Sequence, residues 1–421
     1  MISSAVSRVR RDQRPPRIRS AERARRRWEF WTVAGAVFVV MAASSAPSAL
    51  YGLYQQRWHL DTMTTTVIYA CYAVGAVLTL LLAGSLSEHI GSKRTIIVSL
   101  AVIVCCFLAF MLATGAWVLG LARLVQGVGV GLLTSSAGTA LGRLHRNEDR
   151  KRAAAVNSAA TSTGIALGAV CSGLVVEHAP APLLVPFVVL AVLSTAGLLA
   201  VAAIPAWEAR PARPLWTWRP RLTRLRAGSG KVLLRAAPVV TASWAVVGLY
   251  LALGVEMTST LLHTRDRALS ALVILVVQGC GGLAPMLLGR MSDRSASVTG
   301  SASLVAGLAM SVWAYGNADA GVFFTGAAVT GAGFGLCFMA SMSTVTAAAR
   351  DSDDGAVLPL FFAMAYVAVS VPVVALGVAS SWLSVRSAYA GFGLAVGLVA
   401  VAAAVLALCS PPAVGRKAEP V

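Results

Sequence analysis

Three glycine-marked stretches of this 421-residue chain recur in the same order 204 to 205 residues further along, and such a duplication narrows the folds open to it. Gly84 and Glu88 return as Gly289 and Asp293, a glycine and a carboxylate four residues apart, at an offset of 205. Gly127, Gly129, Gly131 and Leu132 return as Gly331, Gly333, Gly335 and Leu336 at 204, and Gly173 returns as Gly377. Each stretch lies in or beside an apolar run, the pattern of a membrane bundle built from two like halves.

Hydrophobic residues make up 57% of the chain and charged residues 12%, with a mean hydropathy of +0.75. Soluble domains carry roughly 25% charged residues. Runs of about 20 apolar residues, enough to cross ~30 Å of hydrocarbon as a helix, occur twelve times. They lie near 31–53, 64–87, 95–113, 116–142, 154–177, 183–205, 236–260, 269–290, 298–316, 319–348, 356–380 and 386–409. The expected fold is an all-α integral membrane protein with twelve transmembrane helices in two six-helix repeats. Its parts are an Arg-rich segment 1–30, a first half 31–205, a linker 206–235, a second half 236–409 and a tail 410–421.

The net charge of +18 would suit nucleic acid, but its distribution points to topology instead. Lys and Arg crowd residues 1–30, 93–94, 143–152 and 210–235, whereas Arg57, Arg265, Arg267 and Arg386 stand on the other side of the bundle. The positive-inside rule then places both termini in the cytoplasm of a cell whose plasma membrane holds the protein. The N-terminal arginines read as topogenic, with anionic lipid headgroups as a secondary partner. Two acidic residues and Pro15-Pro16 speak against a transit peptide, and no short apolar core with a cleavage site precedes the first span. Trp207, Trp216 and Trp218 in the linker fit a surface helix at the lipid interface or a solvated connection equally well.

Catalytic and metal chemistry find little footing. All seven cysteines fall in apolar spans and the five histidines are scattered, so neither a disulfide nor a metal cluster is expected. Gly228-Ser229-Gly230-Lys231 lacks the first glycine, the hydroxyl and the strand of a phosphate loop. No cofactor and no enzymatic activity are expected.

Gly84-Ser85-Leu86-Ser87-Glu88-His89-Ile90-Gly91-Ser92-Lys93-Arg94 resembles the signature between the second and third helices of the major facilitator superfamily, with Glu88 where aspartate is commoner and His89 in place of arginine. The resemblance implies a conformational latch at Gly84, Glu88, Gly91, Lys93 and Arg94, with Asp293 as the counterpart in the second half. An ordinary charged loop that only sets topology is the plainer alternative. Arg123-Leu124-Val125-Gln126-Gly127 resembles the family's fourth-helix motif, in which the arginine is linked to proton coupling. A buried arginine costs ~2.5–3.5 kcal/mol at a helix centre and so faces a partner or a watery cavity, unless it snorkels and has structural meaning only. Its repeat partner is Ala327. Gly164, Gly168 and Gly173 in the fifth span form a strip for close helix packing. The strip resembles the motif of proton-coupled exporters, with Ala169 for its proline and Ser172 for a glycine.

Glu256 is the one acid well inside a predicted span, at the seventh, and reads as a proton carrier or as an interfacial residue one turn from the helix end. Asp61 and Asp266, at equivalent repeat positions, read as helix caps. The resemblance implies a cavity between the first, fourth, seventh and tenth spans. Tyr51, Tyr54, Gln126, Trp244, Tyr250, Phe334 and Phe338 would line it, an aromatic surface suited to lipophilic or amphiphilic ligands. The expected function is secondary active transport, a proton-driven efflux of drugs or hydrophobic small molecules by a monomer. A proton-coupled importer of an organic acid or sugar, and a non-transporting membrane receptor or enzyme, are the alternatives.

Overall fold

The computed structural model describes residues 16–84, 86–144, 150–205, 217, 219, 229–264, 266–352, 357–380 and 382–409. The linker tryptophans Trp207, Trp216 and Trp218, the first fifteen residues and the tail beyond Cys409 lie outside the described residues. The elements are α1 (Pro16–Ser45), a 3-10 turn (Ala46–Ala49), α2 (Tyr51–Trp58), α3 (Thr62–Ala83), α4 (Leu86–Ile90), α5 (Ser92–Met111), α6 (Ala116–Leu144) and α7 (Arg150–His178). They continue as α8 (Val185–Ala203), α9 (Ser229–Leu261), α10 (Arg267–Leu288), α11 (Asp293–Asn317), α12 (Ala320–Ser352), α13 (Val357–Ser380) and α14 (Val385–Cys409). Among the described residues no strand occurs. All but the short α2 and α4 are long and apolar enough to cross a membrane, which makes twelve spans.

The observed spans follow the apolar runs to within a few residues, except at the first. There the 31–53 run is divided: α1 ends at Ser45, the 3-10 turn carries Pro47, and the helix resumes at Tyr51. Proline has no N–H to give the carbonyl four residues earlier, so Pro47 leaves Ala43 O without its helical partner. Gly91, at φ 92°, makes the turn from α4 into α5, a conformation open to glycine at little cost. Asp61 and Asp266 cap α3 and α10: each carboxylate accepts from a backbone amide, of Thr64 and Leu269 respectively, at 2.9 Å. Hydrogen bonds from the Thr64 side chain and amide hold the exposed Asp61 carboxyl below its ordinary range.

The repeated glycines explain how the bundle closes. Residues four apart share a helix face and the residue between them points the other way. On α6, Gly127 lies against the carbonyl of Tyr72 and Gly131 against Thr79 of α3, while Gly129 turns to Ile103 of α5. Ser99 Oγ donates to Gly129 O at 2.6 Å across that second contact. On α12 the same spacing puts Gly331 on Val277 O and Gly335 on Gly281 O of α10, with Gly333 against Gly300 of α11. A Cβ at Gly164 would lie 2.6 Å from Phe38 O, and Gly168 faces Ala42 and Ser45, so the fifth spanning helix lies directly on α1. In the second half the glycine of the related contact sits on the other partner, Gly248 of α9 against Val369 O of α13. Helices in lipid gain little from apolar burial, so such close backbone approach is a main source of cohesion.

The halves meet along α3 and α13 and along α7 and α10. Gly84 touches Pro359 at one end of the first seam and Gly377 touches Thr66 at the other, while Gly282 faces Ser162 on the second seam. Two cations close helix ends on the side where α1 begins and α14 ends. Lys93 Nζ donates to Ala202 O at 3.0 Å and to Ile204 O at the end of α8, and Arg294 donates to Leu408 O at the end of α14. Trp28 and Trp31 are exposed near that side, and Trp117 of α6, Trp313 of α11 and Trp382 in the turn before α14 are exposed on the far side, as interfacial aromatics are.

Gly127→Val would drive a branched side chain into the Tyr72 carbonyl, so the expected result is no monodisperse protein after extraction in detergent. Gly138→Ala, whose Cβ would meet open space on the same helix, should leave yield and melting temperature unchanged.

Candidate functional site

Arg123 is fully buried in α6, one turn before Gly127 on the same face and roughly 10 Å along the helix from Ala116. Because Gly127 lets α3 approach so closely, the rings of Tyr72 and Tyr69 come to 4.8 and 5.5 Å from the guanidinium carbon. Tyr51 of α2 adds a third ring at 5.9 Å. All three distances lie within cation–π range. Nη1 donates to Ser44 O at 3.1 Å and to Oε1 of Gln126, and Gln126 Nε2 donates to Ala43 O at 2.7 Å. The break at Pro47 thus supplies the acceptors: Gln126 takes the Ala43 carbonyl that α1 leaves open. Nε and Nη2 of Arg123 have no partner, and among the described residues no carboxylate pairs with the guanidinium.

The second half presents an aromatic surface to this cage. Tyr72 meets Tyr366 of α13 edge-on at 5.8 Å, and Tyr366 lies 6.0 Å from Trp244 of α9. Trp244 in turn packs on Phe334 at 5.9 Å and Phe338 at 5.6 Å, both on α12, and Phe338 continues to Phe361 at 6.2 Å. One aromatic chain therefore joins the arginine cage to the core of the second half. Val247, Tyr250, Leu251, Ile274, Val277 and Gln278 line a narrow recess between α9 and α10 with no room for a water molecule.

The structure brings Arg123, Gln126, Tyr51, Trp244, Phe334 and Phe338 to this centre. It does not bring the other expected residues there. Tyr54 stacks on Trp58 at 4.9 Å toward the end of α2. The Tyr250 hydroxyl is turned into its own half, 3.0 Å from Ser311 Oγ, and only the flank of the ring reaches the recess. Glu256 lies on the exposed face of α9, within electrostatic reach of Tyr315 of α11 and away from the arginine cage.

Of the latch residues, Gly84 meets Pro359 across the seam, Lys93 closes α8, and Arg94 is exposed. The Glu88 side chain lies outside the described residues. Asp293 accepts from Ser343 Oγ of α12 at 3.0 Å, a contact inside its own half. Gly164 and Gly168 pack on α1, and Gly173 is buried. Sequence reasoning missed Tyr69, Tyr72, Tyr366 and Gln278. Tyr69 and Tyr72 sit three residues apart and share a helix face, but the spacing does not say which way that face turns.

Twelve apolar helices, joined in two seams around a buried cation and an aromatic core, make a multi-pass integral membrane protein. A model of the Major Facilitator Superfamily matches residues 33–371, and the chain belongs to that superfamily of secondary transporters. It is also similar to an uncharacterized MFS-type transporter, Rv1250, of Mycobacterium tuberculosis, with 26% identity over 148 residues, or 35% of this chain. That match spans 26% of the relative's own length.

Gln126→Leu removes both the Oε1 that accepts from Arg123 and the donor on Ala43 O. The expected loss is about 2–3 kcal/mol, read as a lower melting temperature of the detergent-purified protein against wild type.

Proposed function

We propose that this chain exports hydrophobic or amphiphilic small molecules across the plasma membrane, driven by the proton-motive force, with both termini in the cytoplasm and a single copy sufficient. The observation that carries this reading is the continuous aromatic surface from Tyr72 through Tyr366 and Trp244 to Phe338, which crosses the seam between the halves. Aromatic faces bind apolar bodies of varied shape without demanding a fixed set of hydrogen bonds. Parting of α3 from α13 on one side at a time opens that surface to one aqueous face and then the other, by rocking of the two halves. The fifth-helix strip of Gly164, Gly168 and Gly173 resembles that of exporters and supports the outward direction.

Cells overproducing the protein should accumulate less of a panel of fluorescent lipophilic compounds, and a protonophore should restore accumulation. Unchanged or raised accumulation would turn the assignment toward import of a metabolite. Trp244→Ala, which opens the centre of the aromatic chain, should lower export about tenfold at unchanged membrane abundance.

The exposed position of Glu256 sets a separate expectation. Glu256→Gln should retain pH-dependent export within about twofold of wild type, since this side chain lies on the exposed face of α9 and makes no contact with the arginine cage. Loss of the pH dependence in everted vesicles would make Glu256 the proton carrier after all.

A further inference from the structure

A guanidinium with no exposure and two unpartnered nitrogens is a costly feature inside a membrane bundle. Beside the buried Arg123 Nε and Nη2, which have no partners, the hydroxyls of Tyr51 and Tyr69, whose rings lie against the guanidinium, are also buried and without partners, and each of these groups can donate a hydrogen bond. The carboxylates of the neighbouring helices are engaged or placed elsewhere. Glu29 pairs with Arg25 at 3.0 Å near the start of α1, Asp293 accepts from Ser343, and Glu256 is exposed. The centre of the molecule therefore combines a surplus of donors with a positive charge that no acid of the described protein answers.

We propose that the Arg123 cage binds the anionic head of an amphiphilic substrate, a carboxylate or similar singly charged group, whose apolar body lies along Tyr366, Trp244 and Phe338. This rests on the export reading above and narrows its substrates to organic anions. Two oxygens of one carboxylate match the Nε and Nη2 edge of a guanidinium, the bidentate arrangement that arginine favours. The tyrosine faces hold the charge while the site is empty, and the Tyr51 and Tyr69 hydroxyls supply further donors when it is filled. Tyr72 belongs both to the cage and, through Tyr366, to the seam between the halves, so the site is reached when that seam opens. The arginine keeps its charge throughout, and the substrate carries one negative charge outward. An inside-negative membrane potential favours that step without any carboxylate in the protein.

The test uses three compounds of one shape: 1-naphthylacetate, its neutral amide 1-naphthylacetamide, and the cation 1-naphthylmethylammonium. Equilibrium dialysis against the purified full-length protein should show the acetate bound about tenfold more tightly than the amide, with the cation weakest. Arg123→Gln should bring the acetate down to the amide's level, and Arg123→Lys should keep a reduced preference. Should neither variant fold, Tyr69→Phe keeps the ring, drops the hydroxyl, and should weaken the acetate about threefold with the amide unchanged. Wild-type proteoliposomes should give a larger transport current with the acetate than with the amide.

Equal binding of acid and amide, preference for the cation, or an acid preference that survives Arg123→Gln each overturns the assignment. Export of the fluorescent panel in cells without any acid preference would leave the exporter reading standing and remove this one. Selective binding of the acetate with no transport of any compound would do the reverse.

Discussion

Close backbone contact between α6 and α3 is the constraint on which the rest of the site depends. Gly127 leaves no room between itself and the Tyr72 carbonyl, and the same step places the Tyr72 ring over the guanidinium of Arg123. A larger side chain at Gly127 would push α3 outward and take the cage apart. The duplicated contact in the second half, Gly331 on Val277 O, has the same geometry, but Ala327 stands where the arginine would be. Duplication built the scaffold twice, and the charge was placed on one copy.

The proline in the first span acts on the same centre from the other side. A helix that ran unbroken through Pro47 would use the Ala43 carbonyl internally, and Gln126 would lose its acceptor. With the break, the end of α1 becomes a polar rim that fixes Gln126, and Gln126 fixes Arg123. Turn, amide and guanidinium form one chain of dependence, in which each group is oriented by the carbonyl or side chain behind it.

The twelve spans, the duplicated glycines, the caps at Asp61 and Asp266 and the burial of Arg123 could be read from the sequence, because each depends on local spacing or on the cost of charge in lipid. What could not be read is helix rotation. In a soluble helix the polar face marks the outside, but here both faces are apolar, so periodicity does not say whether Tyr69 and Tyr72 look at lipid or at α6. Tyr250 and Glu256 show the same gap. One was expected to line the cavity and is turned to Ser311, and the other is an acid in an apolar run whose helix carries it to the exposed side.

The two seams differ in what they hold apart. At α7 and α10 small residues meet, Gly282 opposite Ser162. At α3 and α13 the contact passes through Tyr72 and Tyr366, and Tyr72 is also a wall of the arginine cage. On the anion reading proposed above, a group that enters the cage reorients Tyr72, and that motion acts on the contact between the halves. On the proposed anion reading, occupancy and seam opening then bias one another by the same free energy, as linkage requires, so a ligand held at Arg123 changes the balance between open and closed forms without a separate transmitting element.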